Sequence, residues 1–175
     1  MCSFDVCSFF TNVPLDQTIQ ICLTKLYSLP DPATLPRTVL KDLLEFATKK
    51  SHLIFDGQYY DQIDGVAIGS PLGPNIFMCH FEVSRLTNNQ FRPSIWFRYV
   101  DETFSLLDSE DAASRFLDFL NSRHPNIKFT KELKENREIP FLDVCIKCDH
   151  NTFSTTIHHK KNFHCSSHQV GLLYS

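Results

Sequence analysis

Ile95-Trp96-Phe97-Arg98-Tyr99-Val100-Asp101-Glu102-Thr103-Phe104-Ser105-Leu106-Leu107 carries two apolar, aromatic-rich runs on either side of an acidic pair. Such runs read as the strands of a β-hairpin with Tyr99-Val100-Asp101-Glu102 at its tip. A tight turn ordinarily prefers Gly or Asn, so two carboxylates at that place need a cause. Neighbouring acids repel, and a hard divalent cation with oxygen ligands, such as magnesium, relieves the repulsion. That cation calls for a third carboxylate from elsewhere in the chain. The plain alternative is an ordinary solvated turn.

Working outward, the chain alternates element types without a repeat. Ser3 to Cys7 reads as a short buried strand, and Leu15, Ile19, Cys22, Leu23 and Leu26 mark one face of a helix that stops before Pro30. After a proline-rich connector, Leu40, Leu43, Leu44 and Ala47 mark a second helix, with Lys49-Lys50 at its carbonyl end. The period then changes to two. His52-Leu53-Ile54-Phe55 and Gln58-Tyr59-Tyr60 flank Asp56-Gly57, a hairpin whose type I′ turn needs positive φ at both central residues. Gly65, Gly69 and Gly73 with Pro71 and Pro74 form a loop leading into a helix from about 75 to 88. Beyond the acidic hairpin, Ser109-Glu110-Asp111 caps a helix whose core face is Ala113, Phe116, Leu117 and Leu120. Strands are expected at about 127–133, 139–148 and 152–158. The order predicts an α+β domain with helices on one face of a largely antiparallel sheet.

Length and composition set the bounds. A chain of 175 residues with 42% hydrophobic content can bury one moderate core. No run approaches the roughly 18 apolar residues of a membrane-spanning helix, so no membrane partner is expected. Met1-Cys2-Ser3-Phe4-Asp5 lacks the basic start and apolar stretch of a signal peptide. The seven cysteines therefore read as free thiols in a reducing compartment, nuclear or cytoplasmic, in a protein that is not secreted. A net charge of -3 gives no whole-surface attraction to nucleic acid.

Asp5 supplies the third carboxylate. It interrupts the otherwise apolar Ser3-Phe4-Asp5-Val6-Cys7, where an acid carries a large desolvation cost unless it sits at the strand end or beside a cation. Asp5, Asp101 and Glu102 together are the equipment of two-metal phosphoryl chemistry, in which ions about 3.5–4 Å apart stabilise the attacking and leaving oxygens. Pattern alone leaves a strand-end acid and a solvated turn open as the alternative.

At the level of motifs the chain resembles the palm of reverse transcriptases, specifically those of Penelope-like retroelements. The resemblance runs through Ser3-Phe4-Asp5-Val6-Cys7-Ser8-Phe9-Phe10-Thr11-Asn12-Val13-Pro14-Leu15-Asp16, Asp64-Gly65-Val66-Ala67-Ile68-Gly69-Ser70-Pro71-Leu72-Gly73-Pro74 and Arg98-Tyr99-Val100-Asp101-Glu102-Thr103-Phe104. It continues through His124-Pro125-Asn126-Ile127-Lys128-Phe129-Thr130 and Ile139-Pro140-Phe141-Leu142-Asp143-Val144. It implies a polymerase palm over 1–157, with a divergent segment over 158–175. The fingers and thumb are expected to be missing, so activity is expected to be impaired.

The resemblance also implies roles. Asp5 and Asp101 match the aspartates that share two magnesium ions, with manganese as a substitute, and Glu102 stands where the family has Asp. Phe10 matches the bulky residue that excludes a ribose 2′-hydroxyl; a core aromatic is its plain alternative. Gly69, Ser70, Pro71, Leu72 and Gly73 match a loop that packs against the incoming nucleotide, where absent side chains let backbone approach a ligand. Lys128 resembles a lysine that protonates the departing pyrophosphate. The implied partners are an RNA template, a DNA primer and deoxynucleoside triphosphates, in RNA-directed DNA synthesis. Relative to the family's Gly-Pro-Val-Leu-Ala-Asn-Ile-Phe, Gly73-Pro74-Asn75-Ile76-Phe77 is three residues shorter, which turns the downstream residues by roughly 60° on an α-helix. A second reading is a non-catalytic palm remnant that binds nucleic acid.

A third reading comes from Cys145, Cys148, His164 and His168, whose spacing falls within a two-cysteine, two-histidine zinc pattern. Residues three apart on a strand point to opposite faces, so both cysteines could ligate only across a turn. Thr152-Phe153-Ser154-Thr155-Thr156-Ile157 favours a strand where that pattern needs a helix.

Overall fold

The structure, a computed structural model, describes residues 1–31, 33–49, 52–87, 91–149 and 152–158. The chain divides into two units, Met1–Lys134 and Glu135–Ser175, with the boundary lying inside the 1–157 span.

The first unit begins with strand β1 (Cys2–Val6), the short helix α1 (Phe9–Asn12), and helices α2 (Leu15–Tyr27) and α3 (Arg37–Lys49). Strands β2 (His52–Phe55) and β3 (Gln58–Asp61) then form the hairpin read from Asp56-Gly57. Asp56 and Gly57 both take positive φ, 50° and 74°, as a type I′ turn requires. A π-helix over Leu72–Met78 runs into α4 (Cys79–Arg85), and β4 (Ile95–Tyr99), β5 (Glu102–Leu106), α5 (Glu110–Asn121) and β6 (Phe129–Leu133) complete the unit. The helix that ends in α4 starts earlier than the sequence suggests, and its opening turns are not α. The wider i→i+5 winding changes which residues face inward. Phe77, Met78 and Phe81 all reach the core.

One antiparallel sheet in the order β4-β5-β1-β6 organises the unit. Cys2, Phe4 and Val6 alternate inward from β1, and each is almost wholly buried. Phe116 of α5 meets Phe4 and Trp96 edge-on, at ring separations of 5.4 and 5.6 Å, while Phe81 of α4 stacks obliquely on Phe129. Helices α4 and α5 therefore pack on the same face. Full burial of one such phenylalanine is worth roughly 1.5–3 kcal/mol. Ser109 caps α5 by accepting from the Ala112 amide at 3.0 Å, as its Ser-Glu-Asp start suggests. The α+β class and the antiparallel sheet with helices on one face are thus present. Among the described residues no helix is long and apolar enough to cross a membrane.

The described residues of the second unit form a three-stranded antiparallel sheet, β7 (Glu138–Phe141), β8 (Val144–Asp149) and β9 (Thr152–Ile157), in that order. Cys145 and Cys148 both lie within β8, with no turn between them to bring the thiols to one side. The zinc reading loses that condition, and His164 and His168 lie outside the described residues. Cys2, Cys7, Cys22, Cys79, Cys145 and Cys148 are all free.

Candidate functional site

Strand register places the predicted carboxylates. Along the edge of the sheet one cross-strand row reads Tyr99, Glu102, Asp5, Thr130, and all four share the face opposite the helices. The Val6 amide donates to the Asp101 carbonyl at 3.2 Å, on the rung next to the Asp5–Glu102 pair. Asp5 and Glu102 are consequently a non-hydrogen-bonded pair, the type in which facing side chains approach closest. Asp101 sits one residue further, in the two-residue turn Val100-Asp101 that joins β4 to β5. The sequence reading put both acids at the tip; the structure puts only Asp101 there and makes Glu102 the first residue of β5.

Like charges directly opposite in a sheet are destabilising, and this pair lies beside a third acid. Val100 adds a second cost, because it adopts φ 57° although a β-branched residue is poorly accommodated there. This strained residue adjoins Asp101 in the turn.

The same face carries exposed aromatic surface. Phe97 and Tyr99 are 63% and 62% exposed, against 7% for Phe104 beside them. Asp5, Thr130 and Glu132 are exposed as well.

A polar network that sequence reading did not find lies behind the turn. Arg98 donates from Nε and Nη2 to the two carboxylate oxygens of Glu82 at 2.7 and 3.2 Å, and from Nη1 to the Val100 carbonyl at 2.9 Å. Trp96 Nε1 donates to Glu82 at 2.9 Å. The Arg98 side chain is only 10% exposed. Burial pushes its pKa down, the Glu82 hydrogen bond and charge more than offset that, and the guanidinium stays charged. The available signal was the period-two pattern itself, which turns Arg98 inward beside Trp96 and so demands a buried partner.

The other predicted residues divide. Phe10 is half-buried against the core, with its ring 5.5 Å from that of Phe9, and its carbonyl accepts from the Val66 amide at 2.7 Å. The adjoining Gly65 has φ +73°, and a Cβ there would stand 2.2 Å from the Phe10 carbonyl oxygen. Gly65, rather than Gly69 or Gly73, is therefore the glycine that ties the loop to the Phe10 segment. Gly69 has open space around it; a Cβ at Gly73 would meet Val13 and Val66 side chains at 3.1 and 3.2 Å. Ser70 Oγ accepts from the Leu72 amide at 3.4 Å, and the Pro71 carbonyl accepts from the Asn75 amide. In this loop Gly69 and Pro71 are exposed, Leu72 half-buried and Gly73 buried.

Lys128 points its ammonium at the carbonyls of Asn121, at 2.8 Å, and His124, at 3.4 Å. This is the end of α5, where cations are favoured by the helix dipole. His124 is fixed in one tautomer: Nδ1 accepts from the Asn126 amide, leaving Nε2 as donor to Gln17. Burial, then the nearby Arg85 and Lys128 charges, push its pKa below the usual histidine value.

Among the described residues no three His, Cys, Asp or Glu side chains form a group that could hold a metal ion by themselves. Carboxylate oxygens are nonetheless the right donors for magnesium, which takes one or two carboxylates and completes its shell with water and substrate phosphates. Asp5 and Asp101 lie on adjacent rungs, a register that by itself does not bring their side chains to one face of the sheet. Compared with protein-family models, curated proteins and solved structures, the chain gives no match.

Proposed function

We propose that the chain is the palm of a retroelement reverse transcriptase, an RNA-directed DNA polymerase that adds deoxynucleotides to a primer 3′-hydroxyl. The observation that carries the reading is the register of β1 and β5, with Asp5 facing Glu102 and Asp101 in the adjoining turn. Five ordered sequence blocks resembling such palms support it, as does the α+β arrangement with helices on the face away from the acids.

In this reading Asp5 and Asp101 would hold two magnesium ions, whose chemistry would be to activate a primer hydroxyl and to neutralise triphosphate charge. Glu102, across from Asp5, adds negative potential that draws cations to this edge. Phe97 and Tyr99 offer exposed rings on which bases of the primer-template can stack, a sequence-tolerant contact worth about 1–3 kcal/mol per base. Phe10, held by the Gly65 loop, limits room beside the incoming sugar.

The test is magnesium-dependent primer extension on an RNA template by wild type and Asp101→Ala. Extension lost in the variant is expected; equal incorporation by both proteins removes Asp101 from catalysis. Extension by neither protein, with weak and strongly salt-dependent RNA binding, is the result expected of a non-catalytic palm remnant.

A further inference from the structure

We infer that Arg98 is a positioning residue for Asp101, acting through the Val100 carbonyl. The inference rests on reading Asp101 as a metal ligand. Val100 is held at φ 57°, a conformation that a β-branched residue leaves readily unless surrounding contacts fix it. The Arg98 Nη1 hydrogen bond at 2.9 Å is such a contact, made from within the same strand that enters the turn. Its reach is set from outside the strand. Glu82 on α4 grips Nε and Nη2 together, Cys79 Sγ accepts from Nη2 at 3.5 Å, and Trp96 holds Glu82 in turn. The guanidinium is a planar fork, so fixing two of its nitrogens on Glu82 fixes the direction of the third. Helix α4 thereby determines the peptide plane between Val100 and Asp101, and with it where the Asp101 carboxylate starts from.

Chemical separation of this role from simple anchoring is available. Arg98→Lys keeps the charge beside Glu82, but one ammonium lacks the fork that spans both Glu82 and the Val100 carbonyl. The exchanged pair Arg98→Glu with Glu82→Arg restores a charge pair between α4 and β4 while leaving no donor for Val100. A role limited to joining helix and strand survives in both proteins; a positioning role survives in neither.

Two readouts decide the matter: amide hydrogen exchange of Val100 and Asp101 in metal-free protein, and manganese affinity monitored by electron paramagnetic resonance, with Asp101→Asn as reference. The expected result has three parts. Turn amides exchange faster in Arg98→Lys while Phe116 amide exchange is unchanged, manganese affinity falls about 10- to 100-fold as for lost outer partners of metal ligands, and the exchanged pair recovers neither. Unchanged turn exchange in a folded Arg98→Lys overturns the inference whatever the metal does. Wild-type manganese affinity in that variant, with affinity lost in Asp101→Asn, overturns the inference and leaves the polymerase reading intact. Equal affinity in wild type and Asp101→Asn overturns both. Where Arg98→Lys does not fold, Glu82→Gln carries the same measurements, since it keeps one carbonyl acceptor but loosens the grip on Arg98.

Discussion

Asp5 and Glu102 stand directly opposite each other across β1 and β5, with the carbonyl of Asp101 bonded to the neighbouring rung. Carboxylates that face each other in the closest type of cross-strand pair repel when both are charged. On the proposed reading, cations drawn to this edge would offset that repulsion.

Glu102→Gln removes one member of that repelling pair. In metal-free buffer it is expected to raise unfolding stability by roughly 0.2–1 kcal/mol, read from urea denaturation at neutral pH. A loss of stability would show that the carboxylate contributes favourably to the apo fold.

Gly65 and Gly69 should differ in cost. Gly65→Ala forces a Cβ into the Phe10 carbonyl and is expected to destabilise by more than about 3 kcal/mol, beyond backbone strain alone. Gly69→Ala meets open space and should cost only its positive φ, roughly 1–2 kcal/mol. Equal thermal shifts for the two variants would contradict the close approach at Gly65.

Lys128→Met should act on stability. Loss of the ammonium at the end of α5 is expected to cost about 0.3–1 kcal/mol, with primer extension reduced only a few-fold. A hundredfold fall in kcat at unchanged stability would instead make Lys128 the proton donor.

His124 gives the fold an acid-sensitive joint. Its folded pKa lies below the ordinary value of 6.5, so the unfolded chain binds the proton more readily. Stability from this group is complete above about pH 6.5 and declines as pH falls towards its folded pKa. Protonation also takes away the acceptor that holds the Asn126 amide. His124→Gln should flatten the pH dependence of the denaturation midpoint between neutral and mildly acidic buffer; an unchanged profile would place the acid sensitivity elsewhere.

Much of the local structure was legible in sequence because short-range rules governed it. The Asp56-Gly57 turn, the Ser109 cap, and the alternating pattern of Ile95 to Leu106 each answer to neighbours within a few residues. Where sequence reading departed from the structure, distant contacts had intervened. The π-helix from Leu72 is one such place: a Cβ at Gly73 would meet Val13 and Val66, residues outside its own helix. The division after Lys134 comes from which strands pair, and periodicity says nothing about partners.

By itself the sequence determined that two apolar runs make a hairpin, that Asp101 lies at its turn and that Asp5 interrupts a strand, because side-chain period and turn chemistry are local properties. Only the tertiary structure decided that Asp5 meets Glu102 and that Arg98 reaches the Val100 carbonyl from a grip on Glu82. Those relationships depend on register and on the docking of α4, and both are set by long-range burial around Phe4, Phe81 and Phe116.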